Sequence, residues 1–203
     1  MAAPALAWQP TLLGVDEPAF DPDFTGMRRR FLGAGAWVDH LPGWVTGADA
    51  LFDQVLRDAP WRPEADRRMY DRIVAVPRLV AGHFPDRPPV LTRMGRALGD
   101  HYGRRLSSVW ANLYRDGDDS VAWHGDRIGR IRTDTVVAII SLGATRRFLL
   151  RPEGGGPSVG YDLHGGDLLV MGGTCQRTWQ HSIPKRSHAG PRVSVMFREP
   201  GGN

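Results

Sequence analysis

His124-Gly125-Asp126 and His181, followed by Arg192 and Arg198, are the residues of this 203-residue chain whose types and order suggest chemistry. Two imidazoles and one carboxylate form the facial triad that holds non-haem Fe(II) with coordination positions left open. An arginine just downstream supplies the fork-shaped donor that a dicarboxylate cosubstrate needs. His124 ends a strand-like run, and Asp126 follows two residues on, so both side chains can point the same way from one strand end. Each member also has a plainer reading. An H-x-D triplet fits a turn, a histidine beside Trp179 fits a packing residue, and the arginines could pair with Asp162 or Asp167.

The run Arg192-Val-Ser-Val-Met-Phe-Arg198 alternates with a period of two. Arg192, Ser194 and Arg198 therefore face away from Val193, Val195 and Phe197. Arginines on an inward face need an anionic partner, because an unpaired buried charge is very costly.

These residues must be positioned by β-structure. From residue 107 onward, Val109–Tyr114, Val121–His124, Thr135–Leu142, Arg147–Leu150, Val159–Leu163, Asp167–Met171, Thr178–Ile183 and Arg192–Phe197 read as short strands separated by Gly, Pro and Asp. About eight short strands at this spacing indicate a sandwich or barrel rather than βαβ units, and eight strands in two sheets would make a jelly roll. Upstream, Gly47–Arg57 and Pro88–Tyr102 carry apolar residues at helical spacing, and Ala34–His40 and Met69–Val76 are strand-like. Residues 1–35, with Arg28-Arg29-Arg30, are expected to wrap the core surface. The fold expected is mainly β with flanking helices (α+β), a double-stranded β-helix. It forms one domain, 1–203, with an N-terminal extension and lid over 1–106 and a catalytic core over 107–199.

Composition narrows the function. Cys175 is the only cysteine, which excludes an internal disulfide and a cysteine zinc site and fits a cytoplasmic protein. No run approaches the roughly 20 apolar residues that cross a bilayer. Lys+Arg number 26 against 22 Asp+Glu, and Lys185 is the one lysine. An arginine-rich surface suits phosphate recognition and also follows from a GC-rich genome.

Several motifs agree together. Asn112-Leu-Tyr114, His124-Gly-Asp126, Ser141-Leu-Gly-Ala144, His164-Gly-Gly-Asp167, Trp179-Gln-His181-Ser-Ile-Pro184, Arg192 and Arg198 occur in the order seen in the AlkB family, which the chain resembles over residues 107–199. The family comprises Fe(II)- and 2-oxoglutarate-dependent dioxygenases that demethylate alkylated nucleobases. The resemblance implies that His124, Asp126 and His181 bind iron and that O2 is the second cosubstrate. It also implies that Asn112 and Tyr114 hydrogen-bond 2-oxoglutarate while Arg192 and Arg198 pair with its carboxylates, Arg192 at the distal end. Two departures stand out. Ser194 and Met196 replace the family's frequent Asn and Thr, and Arg127-Ile128 follows the iron aspartate where many members carry acidic residues.

On the substrate side, the resemblance places a hairpin lid around Met69, Tyr70 and Arg78. There an aromatic or methionine could wedge into a base stack while arginines hold phosphates; an edge strand with a basic face fits as well. His83 and Phe84 are candidate stacking rings, and the resemblance implies that Arg127 would lie near the base. The activity implied is demethylation of 1-methyladenine- or 3-methylcytosine-type bases in DNA and possibly RNA, releasing formaldehyde, succinate and CO2. A monomer, nucleoid-associated on DNA and away from membranes, is expected. The same chemistry on a tRNA base or protein side chain, or a non-catalytic nucleic-acid-binding relative, stays open at this point.

Overall fold

The structure, a computed structural model, describes residues 6, 17–64, 67–69, 72–74, 77–82, 84, 86–126 and 132–201. Tyr70, His83 and Arg127 lie outside the described residues. The elements of the N-terminal half are β1 (Ala19–Phe20), β2 (Arg28–Gly33), β3 (Ala36–Leu41), β4 (Val45–Thr46), α1 (Ala48–Asp58), β5 (Arg62–Pro63), β6 (Arg67–Met69), β7 (Arg72–Val74), β8 (Leu79–Ala81) and α2 (Pro89–Tyr102). There follow β9 (Ser108–Tyr114), β10 (Val121–His124), β11 (Thr135–Gly143), β12 (Arg146–Pro152), β13 (Val159–Leu163), β14 (Leu168–Gly173), α3 (Cys175–Thr178), β15 (Trp179–Ile183) and β16 (Arg192–Arg198).

Two antiparallel sheets face each other. The larger has eight strands in the order β2-β3-β14-β11-β16-β9-β8-β5, and the smaller has four in the order β10-β15-β12-β13. This is the expected jelly-roll core, with α1 and α2 packed on the outer face of the large sheet. Four strands from before residue 107 join that sheet, so the N-terminal third is built into it.

Strand alternation produces two apolar layers. In β16, Val193, Val195 and Phe197 join the helix-side cluster, while Met196 belongs to the cluster between the sheets. In β11, Val136, Ala138, Ile140 and Leu142 face the helices, and Val137 and Ile139 face inward. All nine residues of β11 are buried, which explains its continuous apolar run. Each such Val, Leu or Ile contributes roughly 1.5–3 kcal/mol by leaving water. Leu51, Phe52 and Val55 of α1 and Leu91, Met94 and Leu98 of α2 close the outer layer. Proline starts α2, and Gly103 ends it at φ 62°, a left-handed turn that glycine takes without strain.

The structure differs from the sequence expectations in four places. Residues 28–33 form edge strand β2 rather than a surface wrap, exposed along nearly its whole length. The run expected as one strand from Met69 is a two-stranded hairpin, with Arg67 to Met69 paired to Arg72 to Val74. Thr178 ends the short helix α3 rather than opening a strand. Phe84 is 1% exposed and belongs to the core beneath α2, which leaves its ring no open face on which a base could stack.

Candidate active site

β10 and β15 are antiparallel neighbours in the smaller sheet, and His124 stands directly opposite His181 in their register. The two imidazole centroids are 4.3 Å apart. Asp126 follows where β10 ends, and ligand atoms of His124, Asp126 and His181 all lie within 4.8 Å of one another. His124 Nδ1 lies 2.8 Å from the Ala122 carbonyl and donates to it, which leaves the lone pair on Nε2. The His181 ring stacks on Phe148 at 5.5 Å and 13°.

The short helix α3 holds the turn in place. The Asp126 N–H donates to Gln176 Oε1 at 3.2 Å. Gly125 leaves room for that contact, since a Cβ there would stand 3.0 Å from the Gln176 carbonyl oxygen. Sequence reading missed Gln176 because Cys175–Thr178 looks like the approach to a strand.

Electrostatics prepare these groups for a cation. Burial pushes the His181 pKa down to about 3, reinforced by His124 and opposed by Asp126, so its imidazole is neutral and able to ligate. Burial would raise the Asp126 carboxyl, but Arg198 and the two histidines outweigh it and hold it below the usual range. Cys175, 1% exposed, is pushed up to about 12 by burial and the nearby Asp126, and stays a neutral packing thiol.

Beside this triad, β9 and β16 carry the second group. Their register sets Tyr114 opposite Arg192, Asn112 opposite Ser194 and Ser108 opposite Arg198. Arg192 is 1% exposed, donates from Nε to Ser141 Oγ at 2.8 Å, and has an Nη2 without a partner among the described residues. Burial pushes its pKa down to about 10, with Arg146 and Arg78 adding and Tyr114 opposing. Arg198 Nε is likewise buried without a partner among the described residues. The carboxylates that might have paired with them are engaged elsewhere. Asp162 bonds Arg147 on the surface, and Asp167 accepts from the Gly43 and His164 amides.

Arg78 has a different setting from a phosphate contact. It is 5% exposed, donates to Glu64 at 2.6 Å and to the Tyr114 hydroxyl at 2.7 Å. Burial would lower its pKa, but Tyr114 and Glu64 outweigh that and keep it charged. Accepting from Arg78 leaves the Tyr114 O–H as a donor for an incoming carboxylate. Arg78, Arg146 and Arg192 surround the Tyr114 ring at 5.7, 5.5 and 5.3 Å. Arg146 was not singled out from the sequence, although it shares parity with inward-facing Phe148 and Leu150. It ties the β9–β10 loop to the end of β15 through the Asp116, Asp119 and Pro184 carbonyls. Met196 Sδ accepts from Asn112 at 3.5 Å and lies 3.9 Å from Arg198 Nη2.

Comparison with known proteins agrees with this geometry. The 2OG-Fe(II) oxygenase superfamily profile matches residues 53–198. The chain is 34% identical over 209 residues to the human alpha-ketoglutarate-dependent dioxygenase alkB homolog 3, covering 91% of this chain and 70% of that protein. The chain belongs to the AlkB family. This AlkB-family chain is also 34% identical over 183 residues to the Bos taurus alkB homolog 3, covering 77% of this chain and 64% of that protein. The human DNA oxidative demethylase ALKBH2 is 32% identical over 120 residues, covering 55% of this chain and 46% of its own. The AlkB-family chain thus spans 64% and 70% of the length of the two alkB homolog 3 relatives.

A Pseudomonas putida prolyl-4-hydroxylase shares the fold at a TM-score of 0.54 and 16% identity, over 81% of this chain and 93% of that one. A Trichoplax adhaerens prolyl hydroxylase does so at 0.59 and 12%, over 80% and 83%. The family implies Fe(II), 2-oxoglutarate and O2, and the residues fit them. The His-Asp-His set suits Fe(II). The unpartnered donors of Arg192 and Arg198 suit a dicarboxylate.

Proposed function

We propose that this AlkB-family chain catalyses Fe(II)- and 2-oxoglutarate-dependent oxidative demethylation of N-alkylated nucleobases, of the 1-methyladenine and 3-methylcytosine type, in DNA and possibly RNA. The observation that carries the reading is the buried Arg192, without a carboxylate partner among the described residues, next to a His-Asp-His cluster. Support for the substrate class comes from the relatives, whose names describe an alpha-ketoglutarate-dependent dioxygenase and a DNA oxidative demethylase.

Iron, with 2-oxoglutarate and O2, supplies the oxidation of the N-linked methyl group, and the products are formaldehyde, succinate, CO2 and the restored base. His124, Asp126 and His181 would hold the metal from one side and leave the other side open. Arg192 and Tyr114 would hold the distal carboxylate, with Ser141 fixing the guanidinium. Arg198, Asn112 and Ser194 would orient the end near the metal. Met171, Ile139 and Phe148 belong to the buried cluster between the sheets, and Phe148 packs flat on the His181 ring. The β6–β7 hairpin, which includes Met69, is the candidate lid over a flipped base. A base inside a duplex must leave the stack to reach such a site, so single-stranded or damaged positions are favoured.

The test is a panel of oligonucleotides carrying 1-methyladenine, 3-methylcytosine and other methylated bases, alongside tRNA and peptide substrates, with formaldehyde as the readout. Release from the first two supports the reading. No release from any methylated oligonucleotide would overturn it.

A further inference from the structure

A base-modifying site grips one nucleotide, whereas its substrate is a long polyanion. Between α2 and the segment 103–107 with the start of β9 runs an open groove of about 620 Å³. Arg87, Arg96, Arg104 and Arg105 line it, and Asp100 is the one acidic residue among the described residues of its walls. Gly95 and Gly99 let the segment lie directly on the helix. A Cβ at Gly99 would stand 2.7 Å from the Arg104 carbonyl oxygen, and one at Gly95 3.0 Å from that of Leu106. The groove is therefore built by close packing, with the charges set along its rim.

These arginines differ in what they already do. Arg104 bonds Asp134 at 2.5 Å, and Arg87 bonds the Thr92 hydroxyl and the Phe84 carbonyl. Arg96 and Arg105 are exposed and have no ion pair among the described residues. Ser108, between the lining residues Ser107 and Val109, is the register partner of Arg198 across β9 and β16, and Arg198 is the cation acting most strongly on Asp126. Glu199, the next residue, bonds Arg132 at 2.9 Å and lies 3.9 Å from Arg104. It thus links the groove wall to Arg132, three residues before β11.

We propose that this groove binds the sugar-phosphate backbone of the nucleic-acid strand flanking the target base, with Arg96 and Arg105 contacting phosphates. The proposal rests on the demethylase reading for its substrate class. Arginine forks match phosphate oxygens in geometry as well as charge. The 14 residues of α2 span about 21 Å at 1.5 Å each, the length of roughly six stacked nucleotides at 3.4 Å. The groove therefore selects for strand length beside the lesion and carries no base readout.

The experiment compares wild type with the double variant Arg96→Gln/Arg105→Gln. Fluorescence anisotropy measures binding to an unmodified single-stranded 20-mer over a salt series. Turnover is read on a methylated 20-mer and on a methylated 5-mer too short to run along the groove. Removing two phosphate contacts should reduce the log–log salt slope by about 1.4. That slope corresponds to roughly 25-fold weaker 20-mer binding at 0.1 M salt, converging with wild type near 1 M. Turnover of the 5-mer should be unchanged. Unchanged 20-mer affinity and slope would overturn the proposal and leave the groove to an acidic protein segment. Equal loss on both lengths would also overturn it, because the defect would then lie at the site. A wild-type protein that binds the 20-mer through these arginines yet demethylates nothing would support the groove and refute the reaction.

Discussion

Arg192 donates from Nε to the Ser141 hydroxyl at 2.8 Å and, at 1% exposure, meets no carboxylate among the described residues. An uncompensated guanidinium in that position costs stability until an anion enters. A dicarboxylate should therefore raise the melting temperature of the wild-type protein. Arg192→Met should melt no lower than wild type without ligand and lose most of the ligand-induced gain. Its KM for 2-oxoglutarate should rise roughly 10- to 150-fold, the equivalent of one charge-assisted bond of about 1.5–3 kcal/mol. An unchanged KM would remove Arg192 from the cosubstrate site.

Arg78 leads to the opposite expectation for stability. It neutralises Glu64 at 2.6 Å in a setting where the two side chains are 6% and 12% exposed. Removing one partner of such a buried pair costs about 3–5 kcal/mol. Arg78→Ala should shift the denaturant midpoint accordingly while leaving the salt slope of nucleic-acid binding unchanged. A reduced slope with normal stability would return Arg78 to the phosphate-contacting role expected from the sequence.

Gln176 holds the turn that carries Asp126, accepting from its backbone amide at 3.2 Å. Loss of a partner that orients a metal ligand typically lowers metal affinity 10- to 100-fold. Gln176→Ala should raise the Fe(II) concentration for half-maximal activity by roughly that factor, with kcat at saturating iron near wild type. Equal iron dependence in the two proteins would reduce Gln176 to a packing role.

What the sequence made legible follows from period and parity. The alternation across residues 192–198 placed Arg192 and Arg198 inward, and strand ends marked His124. The same parity could have picked out Arg146, which shares a face with Phe148 while Arg147 points outward to Asp162. Other features depended on long-range partners. Arg78 looked like part of a basic run because nothing in its neighbourhood shows that Glu64, 14 residues earlier, returns to meet it. Phe84 looked available because its burial depends on how α2 closes over the sheet. β2 carries three arginines with no polar–apolar alternation, since an exposed edge strand requires none. Four-residue α3 is too short to show a helical period.

The proposed reaction joins a metal triad, a cosubstrate pocket and a methylated base. Its most direct measurement is the mass of a 20-mer carrying one 3-methylcytosine after incubation with Fe(II), 2-oxoglutarate and O2, with succinate counted in the same tube. The expected result is loss of one CH2 per strand with one succinate formed, and no mass change with Asp126→Ala, which still binds the oligonucleotide. A wild-type protein that leaves the mass unchanged, or an Asp126→Ala variant that demethylates equally well, would contradict the account.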